Sequence, residues 1–204
     1  MLKVGLTGGY ASGKSFVARH LASLGCHVVY ADALGHQVLL PSGAAYHPTL
    51  SVFGKSILND AATINRKKLA AIVFNSPDLL QELNAIVHPA VFRLEEQSLI
   101  GFESQSPNGV AVIEAAILIE TGRYKTLDRL IVTSCPLEIQ IQRAISRDQI
   151  TRQEAESRIA RQLSDEERVR FANYVVYTDG EPEDTVRQVN AICAELRQLA
   201  EESR

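Results

Sequence analysis

The sequence predicts an α/β fold: one sheet of five short parallel strands, helices on both of its faces, and a helical insertion after the second strand. Three observations lead there. Short apolar runs alternate with stretches of helical period along the 204 residues, and strands that are apolar throughout belong to sheets covered on both sides. Residues 8 to 15 read Gly-Gly-Tyr-Ala-Ser-Gly-Lys-Ser, a complete G-x-x-x-x-G-K-[ST] pattern set between the first strand and the first helix. About 80 residues separate the second strand from the third, far more than a simple crossover needs.

Each element has its own justification. The first strand, residues 2 to 7, is apolar from Leu2 to Leu6 apart from Lys3 and Gly5 and runs directly into the glycine-rich loop. Glycines at 8 and 13 free the backbone to wrap around an anion, so that successive N–H groups and a helix N-terminus face phosphate oxygens. The helix that follows carries Val17, Leu21 and Leu24 on one face and stops at Gly25. His27 to Tyr30 is the second strand. In the long gap, Pro41-Ser42-Gly43 makes a turn, and Asn65 caps a helix containing Leu69, Ile72 and Val73. Ser76-Pro77 opens another helix with Leu79, Leu80, Leu83, Ile86 and Val87, which His88-Pro89 ends or kinks. A further helix runs to about residue 102, before the polar loop of residues 104 to 109. This helical stretch, about residues 36 to 108, is expected to build the second substrate's pocket within a single domain. The last three strands are expected at residues 110 to 113, 130 to 134 and 174 to 177. Pro136 opens a helix that puts Arg143 and Arg147 on one face. Thr151-x-x-Glu154 and Ser164-x-x-Glu167 fit the capping box and start two short helices, and a last helix of about residues 183 to 202 carries Val186, Val189, Cys193, Leu196 and Leu199 at helical spacing.

Composition bounds the function. A net charge of −3, with seven arginines and six acidic side chains interleaved between residues 143 and 170, reads as a mixed, solvated surface and no basic face for nucleic acid. Cys26, Cys135 and Cys193 have no C-x-x-C spacing, so neither a disulfide framework nor a zinc site is expected. No secretory leader is evident, and the apolar stretch from 110 to 119 is broken by Glu114 and too short to cross a bilayer. A cytoplasmic protein without membrane or nucleic-acid partners is expected.

In the G-x-x-x-x-G-K-[ST] pattern the lysine, Lys14, bridges the β and γ phosphates of a nucleotide, and the Ser15 hydroxyl holds Mg²⁺. Such a loop serves kinases, ATPase motors, GTPase switches and passive carriers alike. Asp32-Ala-Leu-Gly35 formally matches the D-x-x-G of a switch, but it follows Lys14 early, and no N-K-x-D guanine reader occurs in the chain. Asp32 stands just past the second strand, at the carboxyl edge where ligands bind open α/β sheets. A carboxylate there takes or orients the proton of an acceptor hydroxyl, or helps position the metal. Its plainer role, compatible with the first, is to N-cap a helix from Ala33 to Leu40. Arg143 and Arg147 offer planar forks suited to two-pronged phosphate contact, and as a pair before the polar residues 148 to 151 they read as the base of a lid, about residues 146 to 166. The plainer reading of each is a solvated cation at a helix C-terminus.

Further segments join these residues into a family resemblance. Gly5-Leu-Thr-Gly-Gly9 running into Ala11-Ser-Gly-Lys-Ser15, then Ala31-Asp32, Phe53-Gly54, Ile72-Val-Phe74, Ile86-Val-His-Pro89, Ile117-Leu-Ile-Glu120, Gln140-Ile-Gln-Arg143 with Arg147-Asp148, Arg161-Gln162 and Asp179-Gly180 together resemble the dephospho-CoA kinase family. The resemblance covers about residues 3 to 190. It implies a P-loop NTPase core of the nucleoside-monophosphate-kinase type, with ATP and dephospho-CoA as small-molecule partners, Mg²⁺ as cofactor, and a monomer or weak homo-oligomer. It implies transfer of the γ-phosphate of ATP to the ribose 3′-hydroxyl of dephospho-CoA, giving coenzyme A. Asp32, Lys14 and Arg143 are then the catalytic residues. Gly8, Gly9, Ala11, Ser12, Gly13, Lys14, Ser15, Phe16 and Arg147 would contact ATP, and Thr7, Asp32, His88 and Glu120 the acceptor. The chain departs from the family pattern at Phe16, Tyr30, Ala116, Asn173 and Thr178. Two other readings stay open: another nucleotide or nucleoside kinase of the same fold, and a regulatory P-loop ATPase with no small acceptor. Apolar helices around Leu80, Leu83 and Val87 that can shelter a pantetheine arm bear on the first, and acceptor-dependent turnover on the second.

Overall fold

The computed structural model describes residues 1–74 and 76–202. They fall into two compact units, one made of residues 1 to 30 together with those from 101 onward, the other of Ala31–Ile100. The first contains the sheet: β1 (Leu2–Gly8), β2 (His27–Tyr30), β3 (Val110–Glu114), β4 (Arg129–Ser134) and β5 (Tyr174–Tyr177). All neighbours run parallel, in the order β2-β3-β1-β4-β5. Every strand lies where the apolar runs put it. In register, Leu6 of β1 pairs with Glu114, the last residue of β3, and Gly8 pairs with Thr133 near the end of β4, so the carboxyl ends of three strands meet where β1 hands over to its loop. The chain leaves β1 toward β2 and later crosses from β3 to β4, which makes this edge the switch point where open α/β sheets bind ligands.

The helices are α1 (Lys14–Ser23), α2 (Ala31–Gln37), α3 (Tyr46–Phe53), α4 (Arg66–Val73), α5 (Pro77–Gln105), α6 (Leu137–Asp148), α7 (Arg152–Ile159), α8 (Asp165–Val169) and α9 (Pro182–Glu202). Leu6, Val17, Leu21 and Leu196 are completely buried between the sheet, α1 and α9. Each stabilises the unit by roughly 1.5–3 kcal/mol relative to exposure. A second apolar cluster, Ile141, Ala144 and Ala155 of α6 and α7, packs against Tyr10 and Ala11 and so anchors the loop itself. Both capping boxes form: Thr151 with Glu154 and Ser164 with Glu167 exchange side-chain and backbone bonds.

In the second unit, Asn65 caps α4 by accepting from the N–H groups of Lys67 and Lys68, at 3.0 and 3.1 Å. Tyr46, Ile57, Ile64 and Leu69 form one apolar cluster there and Val38, Ala45, Ala90 and Val91 another. Leu83 joins the first and Val87 the second, whereas Leu80 stays exposed. Leu83 and Val87 are half-buried against the clusters.

Three expectations need correction. The His88-Pro89 step neither ends nor divides its helix, because α5 runs on as one element with Pro89 inside it. A mid-helix proline costs about 3 kcal/mol, and here Ile86, Val87, Ala90, Val91 and Leu94 on either side of it are packed into one cluster that offsets the loss. Asp32 is in the first turn of α2 instead of capping it, and α2 ends at Gln37, short of Leu40. Arg168 does not belong to the solvated charged surface, since it is only 2% exposed.

Candidate active site

The loop between β1 and α1 owes its path to two glycines. A side chain at Gly8 would fall on the hydroxyl of Thr133, its register partner on β4, and 2.9 Å from that residue's carbonyl. Gly13 has φ +86°, in the left-handed region that L side chains avoid. Ala11 is also left-handed, φ 60°, a conformation costing a non-glycine residue about 1–2 kcal/mol. Its packing on the α6–α7 cluster holds it there. The turn is tied by Ser12 N–H to the Gly9 carbonyl at 3.1 Å and by Phe16 N–H to the Gly13 carbonyl at 2.9 Å. Ser12 is buried, its hydroxyl 2.7 Å from that of Thr133 and its carbonyl accepting from Thr178 at 2.9 Å. With Gly13 at the N-cap and no side-chain cap there, the first amides of α1 are left for an anion.

Lys14, the first residue of α1, does not extend into solvent: its ammonium pairs with the carboxylate of Glu114 at the end of β3. Glu114 was not among the sequence candidates. Its signal was the one charge interrupting an apolar run, but only the register beside Leu6 brings it to the loop. Ser15 next to it is exposed. Oxygen donors of this kind suit Mg²⁺, which uses one or two protein ligands and completes its shell with water and substrate phosphates. Among the described residues no cluster of three or more His, Cys, Asp or Glu side chains is arranged to cage a metal.

Arg143 is half-buried and its fork is directed at the residue after β5: Nη1 donates to the Thr178 hydroxyl at 3.1 Å, and Nη2 donates to the Thr178 carbonyl. The same Thr178 hydroxyl donates to Ser12, so Arg143 reaches the loop through one intermediary. Arg147, one turn on, is exposed and lies over the ring of Tyr10, its Nε and Nη2 donating to Asp148 at 2.8 Å each. These bonds hold the Asp148 carboxyl down at about 2 and push the Arg147 guanidinium further up, hydrogen bonding with Asp148 leading in the second case and with Arg147 in the first. The two arginines thus share a helix but not a partner.

Glu120 lies 3.8 Å from Arg168 on α8, and Arg168 Nη1 sits 3.0 Å from where a side chain at Gly9 would begin. Burial lowers the Arg168 pKa against the opposing pull of Glu120, Asp165 and Glu167. Its Nε and Nη2, with Gln140 Oε1 and Asp165 Oδ1, are buried without a hydrogen-bond partner, so this buried polar cluster flanks the loop at Gly9. Thr7, expected at the acceptor, is completely buried, with its hydroxyl 3.4 Å from the Ala116 carbonyl. It supports the turn after β3 and is not presented to solvent. Asn173 also has a structural task, accepting from Leu130 N–H at 2.8 Å where β4 begins.

Asp32 and His88 belong to the second unit. Asp32 is exposed in the first turn of α2, one turn from His36, whose pKa it raises against the larger lowering by burial and by Arg66. His88 is half-buried on α5, 5.9 Å from the Phe92 ring, and burial lowers its pKa.

Comparison with known proteins agrees with this architecture. The family model described as dephospho-CoA kinase matches residues 2–184. A dephospho-CoA kinase of Geobacter metallireducens is 41% identical over 196 residues, which is 96% of both chains. A crystal structure of a Thermus thermophilus protein superposes with a TM-score of 0.82 at 31% identity, covering 96% of this chain and 97% of that one. Campylobacter jejuni dephospho-CoA kinase gives a TM-score of 0.70 at 25% identity, with 96% and 97% covered. A family match spanning almost the whole chain, on the sheet and phosphate loop just described, shows that this protein belongs to the dephospho-CoA kinase family.

Proposed function

We propose that the chain transfers the γ-phosphate of ATP to the ribose 3′-hydroxyl of dephospho-CoA and releases coenzyme A and ADP. It is a phosphotransferase of its family, and the observation that carries the assignment is the dephospho-CoA kinase match over residues 2–184, which includes the preformed loop from Gly8 to Ser15 with Lys14 paired to Glu114 at the sheet edge. Phosphoryl transfer asks little covalent work of a protein; positioning and charge neutralisation supply most of the rate. In this reading the amides from Gly13 onward and Lys14 bind the β and γ phosphates. Ser15 and Glu114 are the oxygen donors for Mg²⁺, which would neutralise phosphate charge when bound. Arg143 and Arg147 meet the charge developing on the transferring group, with residues 146 to 166 acting as the lid. Asp32 takes or orients the proton of the ribose hydroxyl, and its exposure and lack of a capping task suit that work. Glu120 and His88 face the acceptor, and the helices of residues 36 to 108 build its pocket.

The test is ADP release from Mg-ATP with dephospho-CoA, with AMP or CMP in its place, and with no acceptor. Turnover only with dephospho-CoA is expected. Preference for a nucleotide would make the chain another kinase of this fold, and acceptor-independent turnover a regulatory ATPase.

A further inference from the structure

Tyr10 fills an unspecified position of the phosphate-loop pattern, and none of the roles above uses it. Its surroundings are nevertheless specific. The Arg147 guanidinium lies 5.1 Å from its ring centroid and that of Arg158 lies 5.6 Å away. Its hydroxyl donates to Asp148 Oδ2 and accepts from Arg158 Nη1 at 2.7 Å. Its backbone N–H donates to Gln162 Oε1, also at 2.7 Å. Asp148 binds Arg147 with both carboxylate oxygens and stands 3.9 Å from Arg158. One residue of the loop therefore engages the end of α6, α7, and the segment beyond α7.

The arrangement solves a physical problem. Arg147 and Arg158 are 56% and 46% exposed, and long exposed cations lose considerable rotamer freedom when they are fixed around a ligand. Two guanidinium groups also repel each other when brought together. The electron-rich face of the ring and the Asp148 carboxylate offset that repulsion, so the ordering is done before any anion arrives. We propose that Tyr10 is a positioning residue, which gathers Arg147 and Arg158 at the phosphate loop and presents both to the polyphosphate of the nucleotide. The proposal rests on the kinase reading above. A residue that merely filled the α6–α7 cluster would need neither the hydroxyl nor the ring.

The experiment is a cycle of Tyr10→Phe, Arg158→Ala and the double variant, with Tyr10→Leu as a graded extension. kcat and the KM for ATP are measured with saturating dephospho-CoA, and the ATP dissociation constant is measured without acceptor. Coupled neighbours change rates non-additively, so each single variant is expected to lower kcat roughly ten-fold and the double variant no further. The ATP dissociation constant should stay within about three-fold, because the loop amides and Lys14 remain. Wild-type kcat in Tyr10→Phe, or effects that multiply in the double variant, overturns the proposal. Tyr10→Phe keeps the packing, so it decides the matter even if Tyr10→Leu does not fold. If the wild-type protein ignores dephospho-CoA, the kinase reading fails on its own, and the same cycle is read on the rate of ATP turnover with water.

Discussion

Glu114, the last residue of β3, holds the ammonium of Lys14, the first residue of α1, in an ion pair whose side chains are only 5% and 12% exposed. Removing one member of such a pair leaves the other charged and enclosed, at a cost of about 3–5 kcal/mol. Lys14→Met and Glu114→Gln should each lower stability by that order in urea unfolding, and the double variant should recover most of it. Additive losses in the double variant would mean that the two groups do not compensate each other. Lys14→Met should also abolish most transfer, because the cation neutralises β and γ phosphate charge. Glu114→Gln should raise the Mg²⁺ concentration needed for half-maximal rate by roughly 10- to 100-fold.

Asp32→Asn keeps the size of the side chain and removes the proton acceptor. Because Asp32 is exposed and sits within the first turn of α2, stability should barely change, while kcat falls by roughly 10² to 10⁴ if the carboxylate is the base. Lower stability with an intact kcat would return the residue to a purely helical role.

The strands, the loop and both capping boxes were legible in the sequence because each depends on neighbours a few residues away. Thr151 needs only Glu154, and Gly13 only the backbone turn it allows. Glu114, Thr178 and Arg168 were not legible, since each acquires its partner across the fold: Lys14 from 100 residues away in the chain, Ser12 from 166, and for Arg168 the flank of Gly9. Counting charges between 143 and 170 made Arg168 look like surface, because composition carries no information about which member of a mixed run turns inward. Pro89 differs in another way. Its local rule is an end or a kink, and packing on both sides of it keeps the helix from ending there.

Arg143 reaches the loop through Thr178, and this separates two contributions. Thr178→Val removes the hydroxyl that accepts from Arg143 and donates to the Ser12 carbonyl but leaves the arginine. It should weaken ATP binding by a few-fold, the order of one hydrogen bond at about 0.5–1.5 kcal/mol. Arg143→Lys loses the planar fork, and if the fork meets the transferring phosphoryl group kcat should fall by roughly 10² or more. Equal, small effects from both variants would confine Arg143 to bracing the loop.

The histidines of the second unit give a stability signature in mildly acidic solution. Burial lowers the pKa of His88 from its ordinary 6.5, and burial together with Arg66 lowers that of His36 against the raising effect of Asp32. Between the depressed folded values and 6.5 the unfolded chain binds more protons than the folded one, so stability rises with pH across that window. The contribution is complete above about pH 6.5 and is lost as the pH falls toward the folded pKa values. Carboxylates titrate lower still, so the measurement is a difference: urea midpoints at about pH 5.5 and 7.5 for the wild-type protein and for His36→Gln/His88→Gln. The wild type should lose more stability than the variant on acidification, with His88→Gln alone giving much of the change because His36 is the more exposed of the two. Parallel losses in all three proteins would show that neither imidazole is held neutral by the fold, and His88 would then have to be regarded as freely solvated on α5.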